Sequence, residues 1–226
     1  MVATRAQAAR TAAPGFFGRH GSVFLYVPNL IGYARVAFSL VAFALAGSSP
    51  YGLTGCYLMS FVCDELDGRF ARKFDQTSTF GMVLDMVTDR VSTTCLLAVL
   101  CMHYPRATLA FLALIQLDIF SHWFHMYAAL ATGEATHKNL TSRSRVVQFY
   151  YRNRIFMGFC CICCEVLYLA LYLLAWPERL GAAGVLAVRL VALAALPGFA
   201  IKQAVNVVQL RGASRTLVEY DGTKQQ

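Results

Sequence analysis

No aspartate or glutamate precedes Asp64, and the chain of 226 residues carries only 12 acids against 20 lysines and arginines. Charged residues make up 14%, well below the roughly 25% of an average soluble domain, while 58% are hydrophobic. With a mean hydropathy of +0.52, the composition excludes an ordinary soluble fold and reads as an integral membrane protein. A spanning helix takes about 20 apolar residues, so a chain of this length holds about six spans and no separate soluble catalytic domain. Also missing is a basic face of the kind nucleic acid requires, because the net charge of +8 is scattered among apolar runs. A phospholipid surface is the better partner for it. No internal repeat is present, and a disulfide framework is not expected despite eight cysteines. All of them lie in or near apolar segments, where cysteine acts as a small filler. The pattern CCICC at 160–164 offers metal or acyl chemistry as an alternative, but zinc needs thiolates, which hydrocarbon disfavours.

What is present is a set of apolar runs at 23–47, 50–68, 80–103, 107–131, 155–176 and 182–210. The expected fold is all-α, polytopic, with six transmembrane helices over 23–210. A basic tail over 1–22, holding Arg5, Arg10, Arg19 and His20, precedes them, and a polar tail over 211–226 follows. The N-terminal tail resembles a transit peptide in composition, but a basic segment lying on anionic lipid is the simpler reading. With the N-terminus inside, fourteen lysines and arginines outside the spans fall on one side, against Arg106 and Arg179 on the other. The asymmetry places both termini, the acidic segment and the 132–154 loop in the cytoplasm.

Half the acids, Asp64, Glu65, Asp67, Asp75, Asp85 and Asp89, fall within 26 residues. Asp64 and Asp67 are three apart and Asp85 and Asp89 four apart, which places each pair on one helical face. The second and third spans form a hairpin, so the four carboxylates can converge. In a low-dielectric setting they would repel one another unless a cation sat among them. Oxygen-only ligands favour Mg²⁺ or Mn²⁺. Gly68 and Gly81 leave room for a bulky group, Ala71 is small, and Arg72 is a planar fork suited to phosphate oxygens. Packing explains small residues equally well, but together with four aspartates and an arginine they point to a metal-bound diphosphate.

The run Asp64-xx-Asp67-Gly68-xx-Ala71-Arg72, eight residues, then Gly81-xxx-Asp85-xxx-Asp89 resembles without a gap the DxxDGxxAR(x8)GxxxDxxxD motif of the CDP-alcohol phosphatidyltransferases. The segments VPNLIGYAR at 27–35, LDIFSHWFH at 117–125 and ATHK ending at Lys138 are similar to the eukaryotic branch that uses myo-inositol. Ser78 and Ala135 are minor departures. The resemblance implies cleavage of CDP-diacylglycerol by an alcohol with release of CMP. Asp64, Asp67, Asp85 and Asp89 would hold the metal, Asp89 would also be the proton acceptor, and Gly68, Arg72 and Ser78 would contact the CDP head. It further implies a homodimer in the endoplasmic reticulum.

Other polar residues within apolar runs are less determined by sequence. Asn29 and Arg35 suit either a structural bridge or a substrate contact, as does Arg90. Asp118, His122 and His125 share one helical face and, with Ser121, His137 and Lys138, either border an inositol pocket or hydrogen-bond within the bundle. Arg143, Arg145, Arg152 and Arg154 read as a lipid-anchoring loop, some able to hold phosphate. Serine, glycerol 3-phosphate or inositol phosphate remains an alternative acceptor. A divalent-cation transporter is a further alternative, disfavoured because Arg72 has no use in a cation path.

Overall fold

The computed structural model describes residues 22–133, 150 and 153–224, and no strand occurs among the described residues. Among the described residues six helices follow one another: α1 (Val27–Ala44), α2 (Pro50–Lys73), α3 (Thr79–His103), α4 (Thr108–Ala131), α5 (Arg154–Leu174) and α6 (Pro177–Lys224), with 3-10 turns at Val23–Leu25 and Pro105–Ala107. The chain divides into two compact units, one ending at Asp89 and the other beginning at Arg90. The division falls inside α3.

Local chemistry sets the helix ends. Ser49 caps α2, its Oγ accepting the Gly52 N–H at 3.1 Å, and Pro50 follows at the first helical position. Arg72 and Lys73 occupy the last turn of α2, where positive charge favours the carbonyl end of the helix. Asn153 caps α5 by accepting the Phe156 N–H at 3.0 Å. Near the start of α6, Gly181 adopts φ 66°, ψ 171°, a break only glycine tolerates. Beyond it the helix does not stop near 210 but continues to Lys224. Arginine, lysine and glutamate are good helix formers, so hydropathy marks where an apolar run ends, not where a helix does. The expected C-terminal tail is therefore largely helical, while most of the N-terminal tail lies outside the described residues.

Among the described residues four helical stretches are long and apolar enough to cross a membrane: Val27–Ala44, Pro105–Ala131, Ile155–Leu174 and Pro177–Gly222. The chain is accordingly read as an integral membrane protein. Leu109 is 81% exposed, Leu130 71% and Ile155 87%, an arrangement suited to hydrocarbon rather than water. At 24 and 25 residues α2 and α3 have the length to cross, but they concentrate the charge: Asp64, Asp67 and Arg72 on one, Asp85 and Asp89 on the other.

In the first unit α1 packs along α2; in the second α6 packs against both α4 and α5. All eight cysteines are free. Cys163 fills the groove left by Gly198, where an added Cβ would lie only 2.5 Å from its Sγ. The CCICC segment is thus packing material at this position, as an apolar filler should be.

Candidate active site

The first unit gathers all four motif aspartates around one side chain. Arg35, on α1, is 3% exposed. Its Nη1 donates to Asp67 Oδ2 at 3.0 Å and to Asp85 Oδ1 at 2.6 Å, while Nη2 reaches Asp64 Oδ1 at 2.6 Å and Asp89 Oδ1 at 2.5 Å. The two pairs, set on one face each of α2 and α3 by their spacing, therefore converge as expected. Sequence left Arg35 divided between a structural bridge and a substrate contact. The structure gives it four ion pairs, to residues 29 to 54 positions away along the chain. Pairing across such separations has no sequence signature.

Asp64, Asp67 and Asp85 each present a carboxylate oxygen, and these atoms lie within 4.8 Å of one another. That is close to the roughly 4.2 Å between opposite ligands of an octahedral ion with bonds of about 2.1 Å. An all-carboxylate donor set suits a hard divalent cation. That the ring already draws a guanidinium to itself shows the same demand for positive charge. A divalent metal would fit here, with Asp64, Asp67 and Asp85 as its ligands.

A cleft of about 530 Å³ opens in the same unit, lined among others by Asn29, Asp67, Gly68, Ala71, Ser78 and Asp85. Its volume is that of a typical small-molecule site. Gln76, Thr77, Ser78 and Thr79 line it as well, so the start of α3 contributes. Ser78 Oγ accepts the Gly81 N–H at 3.0 Å, which caps α3 and leaves the hydroxyl proton available to a phosphate oxygen. The neighbouring N–H groups of a helix N-terminus favour the same anion.

One expectation needs correction. Gly81 was expected to make room for substrate, but that space belongs to Asn29: an added Cβ would sit 2.7 Å from Asn29 Oδ1. The glycine is required by a close approach of α1 to α3. Arg72 is exposed and is not among the cleft-lining residues. Its guanidinium instead lies over Gly68, with Nη1 3.5 Å from where a Cβ would be. Gln76, which sequence reading missed, is buried and its Oε1 accepts the Val27 N–H at 2.9 Å, tying the α2–α3 connection to the start of α1. Asp75 supplies the turn with φ 53°, a left-handed conformation that aspartate tolerates better than most residues. Within a polar connection neither role had a signal.

The second unit holds the other polar residues. Arg90 Nη1 donates to both carboxylate oxygens of Asp118, at 2.9 and 3.2 Å, and lies 3.3 Å from His122 Nε2. His122 Nδ1 is 2.7 Å from the Asp118 carbonyl oxygen. Since a carbonyl only accepts, Nδ1 carries the proton and Nε2 accepts from Arg90. Thr93 donates to Glu165 at 2.7 Å, and Lys202 to Asn206 at 2.9 Å. These groups surround a cavity of about 30 Å³, room for roughly one water. Of the helical face predicted from Asp118, His122 and His125, the first two are thus engaged in hydrogen bonds within the bundle. Arg90 is a structural partner of Asp118. His137, Lys138, Arg143, Arg145 and Arg152 lie outside the described residues.

Comparison with known proteins agrees with this geometry. The family description CDP-alcohol phosphatidyltransferase matches residues 25–196. A probable CDP-diacylglycerol–inositol 3-phosphatidyltransferase 2 of Arabidopsis thaliana is 45% identical over 213 residues, covering 90% of this chain and 94% of its own. The Candida albicans CDP-diacylglycerol–inositol 3-phosphatidyltransferase is 38% identical over 88% of this chain and 84% of its own. The human protein of the same name is 37% identical over 88% and 94%. No solved structure matches the chain. A motif of eight fixed residues whose four aspartates are drawn into one ring, and a family match over residues 25–196, place this chain in the CDP-alcohol phosphatidyltransferase family.

Proposed function

We propose that the protein is a phosphatidylinositol synthase, transferring the phosphatidyl group of CDP-diacylglycerol to myo-inositol and releasing CMP. The carrying observation is the convergence of Asp64, Asp67, Asp85 and Asp89 on Arg35 in the unit that holds the 530 Å³ cleft. The choice of inositol rests on the names of relatives 37–45% identical over most of the chain.

In this reading the diphosphate of the lipid nucleotide lies in the cleft, with the Ser78 hydroxyl and the first turn of α3 toward its oxygens. Gly68 lets the nucleotide approach the backbone of α2, and Arg72, next to the cleft mouth, reaches the phosphate when substrate is present. Asp64, Asp67 and Asp85 would hold Mg²⁺ or Mn²⁺, which would neutralise charge building on the CMP leaving group. Asp89 takes the proton of an inositol hydroxyl as that oxygen attacks the phosphorus bearing the diacylglycerol. One P–O bond forms to inositol, the P–O bond to CMP breaks, and the proton stays on Asp89 until solvent removes it. The protein works as a homodimer in the endoplasmic reticulum with six spans, both termini and the aspartates on the cytoplasmic side.

The test uses purified protein in mixed micelles with CDP-diacylglycerol, Mn²⁺ and, separately, labelled myo-inositol, serine, glycerol 3-phosphate or inositol phosphate. Labelled lipid is expected with myo-inositol alone, to vanish with chelator and to return with Mn²⁺ or Mg²⁺. Product with a different alcohol only, or no CMP release with any of them, would overturn the assignment.

A further inference from the structure

Arg35 is too fully committed to the aspartates to be a bystander in metal binding. Among the described residues all four of its ion pairs are to motif carboxylates, at 2.5 to 3.0 Å, and three of those carboxylates form the candidate metal cluster. A guanidinium and a divalent cation therefore draw on the same oxygens and the same negative charge. The match between them is also incomplete: four acids face one base. A bridge of purely structural purpose has parity, as between Arg90 and Asp118 in the second unit. Here an excess of negative charge remains after Arg35 is counted, which a divalent cation would fill.

Two further observations concern movement of the side chain. Arg35 Nε is buried and without a hydrogen-bond partner among the described residues, so the fork is not fully satisfied where it stands. By contrast its backbone is anchored, since Ser60 Oγ donates to the Arg35 carbonyl at 3.1 Å. The head group can leave the ring while α1 stays in place on α2.

We propose that Arg35 is an exchangeable counter-cation: it holds the four aspartates together before metal binds and yields the ring when a divalent cation enters. This rests on the metal reading above and adds to it that metal affinity is held down by a residue of the chain itself. The aspartates stay gathered without metal, and the metal must displace a competitor.

Binding of Mn²⁺ to the full-length protein, measured without any substrate from the electron paramagnetic resonance of free Mn²⁺, separates this from a structural or phosphate-binding role. Arg35→Gln removes the competing charge and is expected to bind Mn²⁺ about tenfold more tightly than the unaltered protein. In chelator it should melt earlier, and Mn²⁺ should raise its Tm by more. Arg35→Lys keeps the charge but loses the fork, and is expected to bind Mn²⁺ a few-fold more tightly; it decides the matter where Arg35→Gln does not purify. Affinity equal to or weaker than that of the unaltered protein, in Arg35→Gln or, failing it, in Arg35→Lys, overturns the proposal while leaving the metal site standing. Absence of Mn²⁺ binding in all forms overturns the proposal and the metal reading together.

Discussion

The two units bury charge in opposite ways. In the first, four aspartates surround one arginine. In the second, Arg90 and Lys202 share a polar cluster with Asp118 and Glu165, two bases to two acids. Both clusters sit on long, mostly apolar helices, where an uncompensated charge is costly. The balanced one is closed around a cavity of about 30 Å³ and its members answer one another's hydrogen bonds. The unbalanced one stands in a unit with a cleft of about 530 Å³. A protein keeps such an excess of like charge only where something positive is brought in from outside, so charge parity separates the working site from the scaffold better than burial does.

Reducing the imbalance should cost function but not stability. Asp89→Asn removes one negative charge from the ring together with the proposed proton acceptor. Its turnover is expected to fall by about 10²–10⁴-fold, with CDP-diacylglycerol binding retained and the Tm in chelator unchanged or raised. A fully active Asp89→Asn enzyme would remove Asp89 from the mechanism, and a large fall in Tm would show that the ring is structural.

The balanced cluster should respond the other way. Asp118→Asn leaves Arg90 without its carboxylate, a loss of about 3 kcal/mol at the lower end of the range for a buried pair, because the Arg90 side chain is 24% exposed. The double change Arg90→Leu with Asp118→Leu should recover part of it, since it removes both charges and leaves only His122 Nε2 without its donor. Thermal melts of the single and double variants measure the difference, and a double variant no better than Asp118→Asn would refute the parity argument. Smallest is Gly81→Ala, which presses on Asn29 and is expected to destabilise by about 1–3 kcal/mol. Unchanged stability there would return Gly81 to a substrate role.

Much of the candidate site was legible because its spacing is helical. Asp64 with Asp67, and Asp85 with Asp89, share faces by periodicity alone, and the polar run between them marks the connection that the structure places between Lys73 and Thr79. The structure starts α2 at Pro50 and α6 at Pro177, where proline suits a first helical turn. What could not be read were interactions between elements. Arg90 and Asp118 are 28 positions apart, and each alone looked equally like a ligand contact. Asn29 and Gly81 looked like separate features until one proved to fill the space left by the other.

Sequence by itself determined that the chain is helical, that it is too apolar for water, and that its acids form two face-sharing pairs within a family motif. These follow from local composition and from the 3.6-residue period, both of which are properties of a single segment. Only the tertiary structure decided that Arg35 stands among all four aspartates, that Gly81 serves packing, and that Asp118 and His122 are held by Arg90. Those outcomes depend on which helix faces meet, and a meeting of faces is fixed by the packing of whole helices against one another rather than by any run of residues along one of them.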